Sequence, residues 1–354
     1  RSKIKDYEMK MVEDILDKKD EYFSGLQYDR LFYFVDENVY RLYKDKLVKF
    51  IGKDFYLTIP AVEGNKDYIK LAQYYRSLID AKFTRKDILV TIGGGILQDI
   101  SGFIASTLYR GIKWVFMPTT LLAQADSCIG SKTSINFSDS KNLIGTFYPP
   151  DVILNDSKFC ETLTPEYFNS GLGEIIKFHL MSDDKGYALL KRYLASPDLR
   201  KSEYLDEIIL STLNIKRSYF EGDEFDSGRR NLLNYGHCFG HALESASNFG
   251  VCHGEAVIVG MGFADLLSLK RGIMTRDKYE EFENIFMKYY PRFDLSKIKV
   301  ETLIHYLKKD KKRVGNDMTM ILCQDVGQLF KYDDIKESEI IETYDQFLKS
   351  YPKR

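Results

Sequence analysis

Three of the chain's five histidines, His237, His241 and His253, fall in the stretch from Arg230 to His253, which reads RNLLNYGHCFGHALESASNFGVCH. His237 and His241 stand four residues apart among Leu233, Cys238, Phe239 and Leu243, an apolar pattern at helical spacing, so both imidazoles project from one helix face. Neutral imidazole is the commonest protein ligand for zinc, and a catalytic zinc keeps three protein ligands plus one open position. A helical histidine pair that merely caps or packs has the same spacing, and the pair alone leaves both readings open. A third histidine, with Arg230 and Asn234 close in sequence, shifts the balance towards a site. In GLGEIIKFHL, Glu174 and Lys177 lie three apart on one helical face between apolar residues. Such a pair is ordinarily a surface ion pair. In the functional reading Glu174 supplies the missing carboxylate of a Glu–His–His zinc set.

Other residues could bind anions or a nucleotide. Gly93, Gly94 and Gly95 end the apolar run DILVTIGGG just before a helical pattern, where glycine lets a pyrophosphate approach the amides of a helix N-terminus. A tight turn needing positive φ explains them equally well. ADSCIGSKTSIN offers Asp126 and Lys132 among small residues, and SKNLIGTFYPP adds Lys141 and Asn142. Lys311 and Lys312, in KKDKKRVG, read by themselves as a solvated charge run.

Elements must bring these scattered groups together. A helix-like segment runs to about Phe23, followed by a strand in LFYFVDENV, a second in DFYLTIP, the turn EGNK and a helix from about Asp67 to Ala81. The strand DILVTIGGG, the helix ILQDISGFIASTLYRG, the strand KWVFMPTT and a last strand, VILN, complete the first half. Strands alternating with helices predict a parallel sheet covered by helices, a Rossmann-like α/β domain over residues 1–158. From residue 159 to 354 the patterns are helical, at 165–182, 202–221, 230–247 and 253–271, and predict an all-α domain. At 354 residues two cores are expected, with the site in the cleft between them.

Composition narrows the function classes. With 51 basic and 52 acidic residues there is no excess for nucleic acid or an anionic membrane. No apolar run is long enough to span a bilayer, and the charged N-terminal stretch lacks a signal-peptide core, so a soluble, cytoplasmic protein is expected. Five scattered cysteines without CxxC spacing fit a reducing compartment.

Taken together, VDEN, EGNK, GGGILQDISGF, YRG, MPTTLLAQADSCIGSKTSIN, KNLIGTFYPP, TLTPEYFNSGLGEIIK, GDEFDSGRRNLLNYGHCFGHALE, CHGEAV and DKKRVG resemble, in order and over nearly the whole chain, the sugar phosphate cyclases, and most of all their 3-dehydroquinate synthase branch. That resemblance implies a dehydroquinate synthase-like fold, shared in general architecture with iron-dependent alcohol dehydrogenases, and a homodimer. It makes Glu174, His237 and His253 ligands of Zn2+ or Co2+, with His241 left to meet substrate. It assigns NAD to Asp36, Asn38, Glu63, Lys66, Gly94, Gly95, Ile96, Asp99, Thr119, Thr120, Lys141, Asn142, Phe159, Thr162 and Leu163. Asp126, Lys132, Lys177, Lys216, Arg230, Asn234 and the 311–312 lysines, Lys312 foremost, match substrate positions. Arg110 matches an arginine that reaches the substrate phosphate in a neighbouring subunit.

The implied reaction is a phosphate-eliminating cyclisation with transient oxidation by NAD, re-reduction and an internal aldol closure. Lysines and Arg230 suit a phosphate and a carboxylate, arginine through its bidentate fork. The chain departs from the usual pattern at Gln98, Ser131 and Tyr167, but keeps Arg230 and Asn234, which favours a carboxylate-bearing heptulosonate phosphate. The alternatives are a relative acting on sedoheptulose 7-phosphate or another sugar phosphate, and a metal- and NAD-dependent alcohol or glycerol dehydrogenase.

Overall fold

LFYFV, ILVTI and WVFMP are nearly continuous apolar runs, the composition of strands buried on both faces of a parallel sheet. In the computed structural model, which describes residues 4–138, 140–221, 228–308 and 317–352, they form its centre. The strands are β1 (Glu8–Met11), β2 (Leu31–Asp36), β3 (Phe55–Ile59), β4 (Ile88–Gly93), β5 (Lys113–Pro118), β6 (Ile135–Phe137), β7 (Ser140–Ile144) and β8 (Val152–Asn155). Six of them make one sheet in the order β1-β8-β5-β4-β2-β3, with every pairing parallel. β6 and β7 form a separate antiparallel pair. Helices α1 (Lys19–Phe23), α2 (Glu37–Leu42), α3 (Lys44–Ile51), α4 (Leu71–Asp80) and α5 (Gly95–Thr107) connect the strands. All of this lies in a compact unit spanning Arg1–Leu163.

The sheet order explains where a ligand would go. β2 pairs with β3 on one side and β4 on the other, so chain connections diverge at β2/β4, the switch point where α/β sheets open a crevice beyond their strand ends. Asp36 ends β2 and Gly93 ends β4 at that point.

The second unit, Thr164–Arg354, is built around one helix. Its helices are α6 (Pro165–Leu180), α7 (Asp184–Leu194), α8 (Leu205–Phe220), α9 (His237–Ala246), α10 (His253–Lys270), α11 (Arg276–Tyr289), α12 (Val300–Lys308) and α13 (Glu337–Ser350). α10 is buried on every face from Gly254 to Ser268, and α6, α9, α11 and α13 pack around it. A helix apolar all round belongs in a core, and HGEAVIVGMGFADLLSLK has that composition. α6 begins at Thr164, whose hydroxyl accepts from Tyr167 N, with Pro165 in the first turn where its missing N–H costs nothing.

Several sequence expectations are corrected. The helix expected up to Phe23 is instead β1 followed by the short α1, because Glu8–Met11 pairs in register with Val152–Asn155, a partner too distant for local periodicity to reveal. The helix expected over 230–247 splits: Arg229–Asn234 is a 3-10 turn, and Gly236, at φ 74, starts α9 afresh at His237. The helix expected from Asp67 begins at Leu71. To the all-α expectation the structure adds an antiparallel hairpin, β9 (Met318–Asp325) and β10 (Gln328–Ile335), joined through Gly327 at φ 70.

Candidate active site

Glu174 and His253 meet because α6 and α10 cross at glycine. A Cβ on Gly254 would lie 1.8 Å from the Ser170 carbonyl oxygen, and one on Gly173 would lie 2.2 Å from the Gly254 oxygen. Only bare backbone allows this approach, which Gly254 N reinforces by donating to Ser170 Oγ at 3.2 Å. On the α9 side, Gly236 sets the αL turn from which His237 opens its helix. Each ligand candidate is thus next in sequence to a glycine at a close contact.

The result is a convergent donor set. Nε2 of His237 and Nε2 of His253 each lie 3.4 Å from Glu174 Oε1. Glu174 is fully buried, yet neither of its carboxylate oxygens makes a hydrogen bond of ordinary geometry. Lys177 Nζ sits 2.5 Å from Oε2, itself buried, which corrects the surface-ion-pair reading of this pair. Zinc bonds to nitrogen and oxygen of about 2.0–2.2 Å place ligand atoms of a tetrahedral site about 3.3–3.6 Å apart, the spacing found here. A buried carboxylate that turns one oxygen to two imidazole nitrogens at that spacing fits a divalent ion. His241 joins the group: donor atoms of His237, His241 and His253 lie within 4.8 Å of one another, with His241 the exposed member.

The electrostatics agree with this geometry. Burial raises the Glu174 pKa, but Lys177 and His237 outweigh it and hold the carboxyl well below its usual range. Burial lowers His253, but Glu174 and Glu244 on either side of the ring outweigh it and hold a proton there up to about pH 10. Burial and Lys177 lower His237, and desolvation of the ring within the cluster, although the residue keeps an exposed edge, lowers His241 together with the two neighbouring imidazoles, so both are neutral at physiological pH. Nδ1 of His237 faces the Tyr235 carbonyl at 3.1 Å; a carbonyl only accepts, so Nδ1 carries the hydrogen and Nε2 keeps the lone pair.

In the same unit Lys216, on α8, and Arg230, in the 3-10 turn, are buried cations, and the Arg230 guanidinium lies over the Phe220 ring at 5.7 Å. Asn234 donates to the Asn231 carbonyl at 2.7 Å. Lys311 and Lys312 lie outside the described residues.

In the first unit the nucleotide candidates gather at the ends of β2, β4 and β5. Asp36 caps α2 by accepting from Asn38 N at 2.8 Å. A Cβ on Gly94 would meet Thr120 Cγ2 at 2.9 Å, whereas one on Gly95 would meet nothing nearer than 3.8 Å. Ile96 follows, half-buried, in the first turn of α5, and the buried Thr119 hydroxyl has no partner. Lys66 Nζ reaches Asp99 Oδ2 at 2.9 Å, Asn142 Oδ1 at 2.7 Å and Glu63 Oε1 at 3.7 Å. Burial raises Asp99 to about 6 despite Lys66. Phe159 packs edge-on against Tyr43 at 5.2 Å, Thr162 and the Tyr43 hydroxyl bond at 3.0 Å, and Leu163 follows half-buried. Lys141 is exposed on β7. Asp126 is half-buried in a π-helical turn, Ala123–Ser127; Lys132 and Arg110 are exposed, Arg110 with φ 64.

Two residues escaped the sequence reading. Asn136 accepts from Asn142 N at 2.9 Å and donates to Glu63 Oε1 at 2.7 Å, tying two nucleotide candidates together. Glu244 Oε1 lies 3.4 Å from His253 Nδ1. Its spacing, seven after His237 and three after His241, puts it on the histidine face of α9 and was the available signal.

Comparison with known proteins accords with this picture. Residues 56–170 match the family described as 3-dehydroquinate synthase N-terminal, and residues 171–313 that described as 3-dehydroquinate synthase C-terminal. A 3-dehydroquinate synthase of Clostridium botulinum is 35% identical over 306 residues, 85% of this chain and 87% of that protein. The structure of the 2-epi-5-epi-valiolone synthase ValA from Streptomyces hygroscopicus, with NAD+ and Zn2+ bound, superposes with a TM-score of 0.88 at 24% identity, covering 99% of each chain. An iron-containing alcohol dehydrogenase from Thermotoga maritima gives 0.58 at 14% identity, covering 97% of this chain and 98% of its own. These two structures speak to the fold, a Rossmann-like α/β half followed by a helical half. On the matched sequence families and the identity shared along most of its length, the chain belongs to the 3-dehydroquinate synthase family.

Proposed function

We propose that this protein is a 3-dehydroquinate synthase, a carbon–oxygen lyase that converts 3-deoxy-D-arabino-heptulosonate 7-phosphate to 3-dehydroquinate and phosphate without net redox change. The observation that carries the reading is the convergence of two imidazole nitrogens on one oxygen of the buried Glu174 carboxylate, whose other oxygen is paired with Lys177. NAD when bound supplies a hydride acceptor regenerated within the turnover, and Zn2+ or Co2+ supplies Lewis-acid polarisation of a hydroxyl.

The chain's own residues do the rest. Glu174, His237 and His253 hold the ion, while buried Lys177 offsets the charge of Glu174. Asp36, Lys66, Asp99, Asn142 and the glycine turn hold the dinucleotide, with Lys66 fixing the carboxylate and amide around it. Lys132, Lys216, Arg230 and Lys312 bind the phosphate and carboxylate of the substrate, and Asp126 and Asn234 orient its hydroxyls. His241, kept neutral, offers a hydrogen-bonding imidazole to the same substrate. Arg110 reaches the substrate phosphate of a second subunit, which makes the working form a homodimer. No helix among the described residues is long and apolar enough to cross a membrane, and no two of the five cysteines form a disulfide; the reading places the enzyme in the cytoplasm.

The test offers purified protein with NAD and Zn2+ the heptulosonate phosphate, sedoheptulose 7-phosphate and glucose 6-phosphate in parallel. Phosphate release from the first alone, with flat NADH absorbance, is expected. Release only from one of the others moves the chain to a different cyclase, and NADH accumulating with glycerol makes it a dehydrogenase.

A further inference from the structure

We propose, resting on the metal-site reading above, that Glu244 is a positioning residue: it holds the His253 imidazole from its outer nitrogen and thereby sets how tightly the site keeps a divalent cation. His253 is the first residue of α10, so no preceding turn of its own helix packs against its ring. Its orientation has to be fixed from outside. Two carboxylates on two other helices do so: Nε2 lies 3.4 Å from Glu174 Oε1 on α6, and Nδ1 lies 3.4 Å from Glu244 Oε1 on α9.

Once a cation has displaced the second proton, the neutral imidazole has one N–H and one lone pair, and an ionised carboxylate only accepts. Glu244 then takes the Nδ1 hydrogen, and the lone pair of Nε2 is left on the side facing Glu174. His237 is arranged the same way, with its Nδ1 against the Tyr235 carbonyl at 3.1 Å. The two ligand histidines thus present the same nitrogen inward and differ in what stands behind them, a neutral carbonyl for one and a full negative charge for the other.

That charge matters because the two carboxylates are largely withdrawn from water. The Glu244 side chain is 17% exposed and Glu174 1%. A dipositive ion beside the Lys177 ammonium, balanced by Glu174 alone, leaves two uncompensated positive charges, and Glu244 removes one of them. A carboxylate behind a ligand imidazole also raises its basicity, and loss of such a partner typically weakens metal binding by about 10–100-fold.

The experiment measures Zn2+ and Co2+ dissociation constants of the full-length protein by competition with a chromophoric chelator, for wild type, Glu244→Ala, Glu244→Gln and His253→Ala. The unfolding midpoint of each metal-free protein is recorded alongside. Glu244→Ala is expected to bind about 10–100-fold more weakly, and Glu244→Gln, which keeps an acceptor but not the charge, about tenfold, while each metal-free variant still unfolds in one cooperative transition. That transition separates positioning from a failure to fold. Both variants binding within about twofold of wild type overturns the role of Glu244 while leaving the metal site standing, provided His253→Ala loses the ion. A wild type that takes up no metal removes the site and this proposal together. Should Glu244→Ala fail to fold, the isosteric Glu244→Gln decides alone.

Discussion

At the scale of single residues, the proposed metal site sets protons and a cation in competition for the same lone pairs. His253 stands between Glu174 and Glu244, whose charge keeps it protonated up to about pH 10 in the metal-free protein. An arriving cation must displace that proton. Affinity is therefore expected to rise about tenfold per pH unit between roughly pH 6 and 9, with about one proton released per ion, measurable by titrating Zn2+ into weakly buffered protein containing a pH indicator. A pH-independent affinity would mean that His253 is already neutral. His253→Ala removes a ligand outright, and metal retained after dialysis is expected to fall from about one equivalent to near none. That three histidines would lie together was legible from their clustering. The state of Glu174 was not, because an i, i+3 Glu–Lys pair has the same spacing on a solvated face as in a core.

At the scale of elements, helix crossings decide whether those residues meet. Gly254→Ala would place a methyl carbon 1.8 Å from the Ser170 carbonyl oxygen, a backbone atom that cannot step aside. α6 and α10 would be pushed apart, and Glu174 would leave His253. The expected cost is about 3 kcal/mol in unfolding free energy, together with loss of bound metal, read by denaturant midpoint and metal content. Gly25→Ala is the control: a Cβ there meets nothing within 4 Å, so a change within about 0.5 kcal/mol is expected. The strands β2, β4 and β5 could be read from apolar runs. β1 could not, since its pairing partner lies over a hundred residues away. The β9–β10 hairpin carried a turn glycine, Gly327, but its apolar run MTMILC suits a buried helix as well as a strand.

At the scale of the whole molecule, a buried carboxyl outside the proposed metal-ligand set contributes to how stability responds to pH. Burial raises Glu283 to about 7, although it accepts a hydrogen bond from the Tyr290 hydroxyl at 2.9 Å. A carboxyl raised above its unfolded value binds more protons in the folded state between about pH 4.5 and 7, so its contribution to stability is lost as pH rises through that window. Glu283→Gln should thus gain on wild type from pH 4 to 8 by up to about 3 kcal/mol, seen as a widening gap in unfolding midpoints. A constant gap would show that Glu283 titrates normally. The sequence by itself determined which runs could be buried strands, where a glycine turn met a helix, and that three imidazoles cluster near Arg230, because side-chain chemistry and short-range periodicity are local properties. Only the tertiary structure decided that Glu174 and Lys177 are a buried pair facing two imidazoles, that Glu244 stands behind His253, and that bare glycine backbone lets α6 and α10 touch. Those facts depend on distances between segments remote in the chain, and nothing local encodes them.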